Sequence, residues 1–371
     1  MKYRIPFIRP EFPSSEEMIE DYRAILDSNW YTNFGPYELD LSQKVAEYVG
    51  QDIYATTVAN CTLGLDLAII ALFDKSNGNK VLVPSFTFAA GPEMLIRNDF
   101  EPVLLDVEAD TWHMSIKQAE EILSNDKEIA GILLCNSFGV GNPKIEQWEL
   151  LAKKYNKKLI IDSAAGFGSR YTSDEIIGGR GDCEVFSLHA TKPFAVGEGG
   201  LVTSRDQTLI KKIRVLQNFG FEGDRTVHTI GTNAKMQEFN CAIGIRQLSK
   251  LQTRISGRQQ KLATYKAHLK DFEFQPNDTL STVPFVSVLV PEGYDADFSQ
   301  QSLLDASIEA RRYYTPALHL HSAIKERSSI PGPLTVTESM SDRIISLPLL
   351  NDMTDEDIIG VCETLIKTRK A

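Results

Sequence analysis

The chain has 371 residues, 42% hydrophobic and 24% charged, enough to bury a full core and to divide into a larger and a smaller domain. Its formal net charge of −11 excludes broad nucleic-acid affinity, which needs a surplus of Lys and Arg on one face, and leaves room only for a local basic patch that binds a small anion. No stretch approaches the roughly 20 apolar residues of a membrane span, the opening Met1-Lys2-Tyr3-Arg4-Ile5-Pro6 lacks the apolar core of a signal peptide, and the scattered cysteines and histidines show no metal-ligand spacing, so a cytoplasmic protein with reduced thiols and no metal is expected.

In chain order, Ser14-Ser15-Glu16-Glu17 opens a helix running towards Leu26, because Ser supplies an N-cap oxygen and acidic residues favour the first turn. Trp30-Tyr31-Thr32-Asn33-Phe34-Gly35-Pro36 ends it. Ala59-Asn60-Cys61-Thr62 precedes an apolar helix reading from Thr62 to Phe73; backbone N–H groups and a hydroxyl at such a start suit a phosphate, although a plain N-cap looks the same.

Between Val58 and Ser204, short apolar runs alternate with amphipathic segments such as Ile145 to Tyr155. The runs are Val81-Leu82-Val83, Val103-Leu104-Leu105, Ile132-Leu133-Leu134, Leu159-Ile160-Ile161, Val185-Phe186-Ser187 and Leu201-Val202-Thr203. Fully apolar strands separated by helices imply an α/β fold with a mostly parallel sheet covered on both faces. Asp162, directly after Ile161, stands at the carboxyl end of a buried strand, where ligands of open α/β sheets bind; a turn or cap residue would occupy the same place.

The segment Phe186-Ser187-Leu188-His189-Ala190-Thr191-Lys192 then carries a lysine out of a strand, and Gly197-Glu198-Gly199-Gly200 turns the chain into the next one. Alone, such a lysine is an ordinary solvated group. Beyond Thr203 a long helix reads from Gln237 to Leu269, followed by a strand at Pro284–Val290 and a closing helix from Asp355 to Lys367 with Thr354 as N-cap. These place a large α/β domain at 1–245 and a small α+β domain at 246–371. No G-x-G-x-x-G turn follows the first strands, which argues against a nicotinamide-dependent oxidoreductase.

Several segments together are more specific than any one. The Trp30–Pro36 turn, Pro84-Ser85-Phe86-Thr87-Phe88, Asp162-Ser163-Ala164-Ala165, the lysine segment, Gly231-Thr232-Asn233-Ala234-Lys235-Met236, Arg312-Tyr313-Tyr314-Thr315-Pro316-Ala317-Leu318-His319 and Ser346-Leu347-Pro348-Leu349 resemble, in order, the DegT/DnrJ/EryC1/StrS family of sugar aminotransferases. The resemblance implies an aspartate-aminotransferase-type fold with a seven-stranded sheet in the large domain, and pyridoxal 5'-phosphate as cofactor. Lys192 matches the lysine that carries the cofactor and shuttles protons, and Asp162 the carboxylate facing its pyridine nitrogen. Phe88 matches the aromatic stacked on the ring. Asn60, Cys61, Thr62 and Ser187 match the phosphate cradle, and Asn233 an asparagine that reaches the neighbouring subunit's cofactor, so a homodimer with a shared active site follows.

Two positions depart from the family. Cys61 stands where a small Gly is frequent, and Ala165 where Gln or His usually bonds the cofactor's ring oxygen. Lys192 itself favours transamination over the dehydration run by members with His there. The resemblance implies transfer of an amine from glutamate to a nucleotide-linked keto-sugar, and the Gly197–Gly200 turn favours C4 of dTDP-4-dehydro-6-deoxyglucose, feeding O-antigen or another glycan. Alternatives are amination at C3, a GDP- or UDP-sugar, or a regulatory protein that keeps the cofactor without turnover. Tyr31, His189 and Tyr314 are candidate sugar contacts.

Overall fold

In the computed structural model, which describes residues 3–370, the apolar runs become strands at the places expected. Met1 and Lys2, part of the opening segment read for a signal peptide, and Ala371 lie outside the described residues. The large sheet contains β1 (Tyr54–Val58), β2 (Lys80–Pro84), β3 (Glu101–Leu105), β4 (Ile129–Cys135) and β5 (Lys158–Asp162). After a small hairpin of β6 (Arg170–Thr172) and β7 (Glu175–Ile176), it is completed by β8 (Cys183–Ser187) and β9 (Gly200–Ser204). The order is β1-β9-β8-β5-β4-β2-β3. Only β9 runs against its neighbours; the other strands of this sheet share one direction.

Alternation along the strands feeds two cores. Ile161 and Phe186 face one, with Trp148 and Leu134, while Ile160 and Val185 face the other, with Leu65 and Ile69. Helices on both faces exclude water, which is why these strands read as unbroken apolar runs.

A second sheet, β10 (Glu273–Phe274), β11 (Val286–Leu289) and β12 (Ile344–Leu347), is antiparallel and has its own core. The helix Glu238–His268 serves both bodies: Cys241, Leu251 and Ile255 pack in the large core, Leu262 and Tyr265 in the small one. The expected boundary at 245 falls inside this helix. Two segments cross back. Ile5 pairs with Ile308 and joins the small core, and Ser329 bonds Pro102 and Leu104 alongside β3.

Helix ends show how local sequence sets the frame. Ser14 and Thr354 form capping boxes with Glu17 and Asp357. The helix Pro36–Val49 has no cap of its own, and the buried Glu238 carboxylate accepts the N–H groups of Tyr37 (2.8 Å) and Glu38 (3.0 Å) instead. Strand β11 starts two residues later than the Pro284–Val290 reading: the backbone turns at Val283, whose φ is 48°, and the carbonyls of Val283 and Pro284 are taken by the buried Arg258 guanidinium. Among the described residues no helix is long and apolar enough to cross a membrane.

Candidate active site

The carboxyl ends of β4, β5 and β8 and the start of β9 converge on one cleft. Parallel register puts Cys135 beside Asp162, and β8 ends next door at Ser187. Asp162 is buried, and the one hydrogen bond to its carboxylate among the described residues comes from the Ala164 N–H to Oδ1 (3.0 Å). Burial pushes its carboxyl up to about 6, against the pull of that N–H and of the Lys192 charge. Lys192 answers in kind: burial lowers its ammonium below the ordinary lysine range, while Cys61, Asp162 and Cys135 pull it back. Its Nζ has no hydrogen-bond or ion-pair partner among the described residues. A depressed, unpartnered amine beside a buried carboxyl is a reactive arrangement rather than a surface salt bridge.

The cradle is built from backbone. Asn60 Oδ1 caps the helix Cys61–Leu72 by accepting from Leu63 N–H (2.9 Å), which leaves the N–H groups of Cys61 and Thr62 without acceptors among the described residues. Gly200 begins β9 directly against them; a Cβ there would lie 2.8 Å from Asn60 C and from Cys61 N. Ser187 Oγ accepts from His189 N–H (3.2 Å), so its own proton is free to donate. Free N–H groups at a helix start, the Ser187 hydroxyl and a glycine-thin wall suit a phosphate.

One side of the cleft is aromatic. Phe88 is 60% exposed, its ring 6.3 Å from that of Tyr314. Tyr314 stacks on Phe138 at 5.5 Å and 17° and meets the edge of Phe86 at 5.8 Å. Tyr314 is half-buried, and burial, with Cys135 and Asp162 adding, raises its phenol well above the usual range.

Other expected residues sit further out. His189 Nδ1 accepts from Thr191 N–H (3.2 Å) and faces the Thr191 hydroxyl (2.9 Å), while Nε2 lies 3.6 Å from Glu198; the ring braces the lysine loop from its exposed side. Tyr31 stacks on Phe239 at 6.3 Å and is 41% exposed. Asn233 is exposed, with Oδ1 accepting from Lys235 Nζ (2.7 Å). The Ala165 carbonyl accepts from Thr282 Oγ1 (3.0 Å), and the methyl group has nothing to offer a ring oxygen. Sequence reasoning missed Cys135, whose only signal was its place directly after an apolar strand, equivalent to that of Asp162. It also missed the buried set behind Asp162, where Glu184 accepts from Ser163 Oγ (2.7 Å) and Tyr171 Oη (3.1 Å), and Asn136 donates to Ser163 Oγ (2.8 Å). Among the described residues no group of three or more His, Cys, Asp or Glu is placed to hold a metal.

The DegT/DnrJ/EryC1/StrS aminotransferase family model matches residues 13–366. The chain belongs to this family. It is 39% identical over 364 residues to protein Rv3402c of Mycobacterium tuberculosis, covering 96% of this chain and 88% of that one. It is 30% identical over 371 residues to GDP-perosamine synthase of Escherichia coli O157:H7, covering 98% of each. With dTDP-4-amino-4,6-dideoxy-D-glucose transaminase of Shigella dysenteriae it shares 27% over 365 residues, covering 96% of this chain and 97% of that one. Among solved structures it superposes on a chain of Bacillus cereus ATCC 10987 assigned to the PLP-dependent aminotransferases, with a TM-score of 0.91, 32% identity and coverage of 97% and 99%. DesI in the presence of its TDP-sugar product gives 0.89, 29%, and 98% and 93%.

The fold is therefore that of the PLP-dependent aminotransferases, and the protein is a member of their nucleotide-sugar branch with pyridoxal phosphate as cofactor. The residues present suit that group: a buried carboxyl with an oxygen to spare, an unpartnered amine, and a helix start whose N–H groups await an anion.

Proposed function

We propose that the protein transfers the amino group of glutamate to C4 of a nucleotide-linked 4-keto-6-deoxy sugar, dTDP-4-dehydro-6-deoxyglucose being the preferred acceptor, for O-antigen or related glycan assembly. The observation that carries the chemistry is an unpartnered Lys192 amine near enough to the buried Asp162 carboxyl for each to shift the other's proton affinity. The acceptor class follows the names of the relatives at 27% and 30% identity, one a dTDP-sugar transaminase and one a GDP-perosamine synthase.

Pyridoxal phosphate, when bound, supplies an electron sink for the carbanion formed as a proton leaves the carbon that bears the amine. Lys192 Nζ would hold the cofactor and serve as the base that moves that proton; burial lowers its proton affinity towards the working range of a general base. Asp162, with one carboxylate oxygen unbonded, would face the pyridine nitrogen and favour its protonated form. The N–H groups of Cys61 and Thr62, with the hydroxyls of Thr62 and Ser187, bind the phosphate, and Phe88 covers the ring. Tyr314 lines the cleft where the sugar enters, and His189 and Tyr31 stand at its rim. Asn233 acts in the active site of a neighbouring copy, which makes the working form a homodimer.

Incubation with glutamate and dTDP-4-dehydro-6-deoxyglucose, with the product's amine located by NMR, tests this reading. We expect an amine at C4 and slower turnover of the GDP-linked mannose counterpart. An amine at C3, or turnover restricted to free amino and keto acids, would overturn the acceptor assignment.

A further inference from the structure

Ser85, His319 and Glu338 form a line that neither the sequence motifs nor the cofactor explains. Ser85 Oγ lies 2.8 Å from His319 Nδ1, and His319 Nε2 lies 3.4 Å from Glu338 Oε1. The order resembles a hydrolase relay, but Ser85 is fully buried and His319 only 6% exposed, so no substrate carbonyl can reach the hydroxyl. The line does something else. Nε2 makes no hydrogen bond among the described residues, so the contact between Nδ1 and the Ser85 hydroxyl is the ring's one hydrogen bond, while the Ser85 carbonyl accepts from Leu318 N–H (3.2 Å). Ser85 thus grips the 318–319 segment at two points.

The two segments joined in this way are those that carry the aromatic wall. Phe88 follows Ser85 on the loop leaving β2, and Tyr314 precedes His319. Tyr314 is pinned on its other side, its carbonyl accepting from Ser341 Oγ (2.8 Å). Phe86, next to Ser85, supplies the edge against which Tyr314 packs. Nothing else ties the Phe88 loop to the segment 317–321 by a side-chain hydrogen bond among the described residues.

We infer that His319 is a positioning residue: through Ser85 it holds the Tyr314 segment against the Phe88 loop and so sets the width of the aromatic cleft over the cofactor. The inference rests on the aminotransferase reading for its kinetic arm alone. The test compares the holoenzyme with His319→Leu, His319→Asn, Ser85→Ala and the Leu/Ala double variant. Asn presents a polar atom close to the Nδ1 position and should restore the bond. We expect His319→Leu and Ser85→Ala to alter the visible circular dichroism of the bound cofactor alike, to speed amide exchange at Leu318 and Phe88, and to lower kcat/KM for the keto-sugar roughly 10- to 100-fold, as small misplacements near reacting atoms do. The double variant should be no worse than His319→Leu, and His319→Asn should recover most of the loss. A His319→Leu protein with parental dichroism and kcat/KM, changed only in thermal stability, would reduce the contact to packing. Additive losses in the double variant would also sink the proposal. Should His319→Leu fail to fold, Ser85→Ala against His319→Asn decides. If the parent converts no nucleotide sugar, the acceptor reading falls while dichroism and exchange still judge His319.

Discussion

Asp162 shows how one side chain sets both stability and chemistry. In the chain without cofactor its carboxyl is pushed up to about 6, mainly by burial, against about 3.9 in an unfolded chain. The native state therefore holds a proton that the unfolded state releases between about pH 4 and 6, so stability falls through that window and the penalty is complete above it. Asp162→Asn removes the penalty. Cofactor-free Asp162→Asn should resist urea better than the parent at pH 8, by up to roughly 3 kcal/mol from a shift of about two units, and should match it near pH 4. The same variant should bind pyridoxal phosphate more weakly and lose most turnover. A variant less stable than the parent at pH 8 would show that the charge is compensated by a group other than Lys192. Lys192→Ala should abolish any borohydride-reducible link to the cofactor while the far-ultraviolet circular dichroism stays unchanged; a surviving link would point to another lysine. Asp162 was legible in the sequence by its place at the end of a short apolar strand, whereas Lys192, five residues beyond the end of β8, reads as a solvated group until the family segments around it are taken together. Cys135 was not, since a cysteine after Ile132-Leu133-Leu134 reads as one more core residue, and only the register with Asp162 gives it a place in the cleft. Neither was the Ser85–His319 bond, which spans 234 positions.

At the scale of elements, two close approaches make testable demands. Gly200 lets β9 start against the Asn60–Cys61 peptide, and an added Cβ would also come within 2.9 Å of Phe186 O. Gly200→Ala should fold but bind pyridoxal phosphate at least about 10-fold more weakly, as read by cofactor titration, because displacing the helix start by even a few tenths of an ångström spoils N–H geometry that tolerates little misalignment. Unchanged affinity would mean the phosphate sits elsewhere. The second approach is the borrowed cap. Glu238→Ala leaves the first N–H groups of Pro36–Val49 unsatisfied and should cost about 1 to 2 kcal/mol in denaturant unfolding; no loss would show that water replaces the carboxylate without penalty. The capped helices Ser15–Ser28 and Asp355–Ile366 were readable from local sequence alone. The cap on Pro36–Val49 was not, because its donor of oxygens lies 201 positions away.

At the scale of the whole molecule, the segment after the helix Gln207–Leu216 carries apolar groups into solvent, with Phe219 at 45%, Val227 at 53% and Ile230 at 83% exposure. Exposed apolar side chains grouped around Asn233 suit a contact with a second copy. Sedimentation should find a dimer at micromolar concentration, and Ile230→Asp should shift it towards monomer with loss of turnover; a fully active monomer would remove Asn233 from the site. The lone reversed strand has a consequence of a different kind. Strand β1 sits at the sheet edge and, among the described residues, its only sheet partner is β9, in the register Tyr54↔Ser204. During synthesis the first strand of the domain therefore waits unpaired until residues beyond 200 have emerged, and contacts of such long sequence separation form late. The same event brings Gly200 against Asn60 and Cys61 and closes the loop that bears Lys192. Completion of the sheet and closing of the lysine loop are thus one folding step, and a nascent chain halted before β9 carries Lys192 with β1 still unpaired.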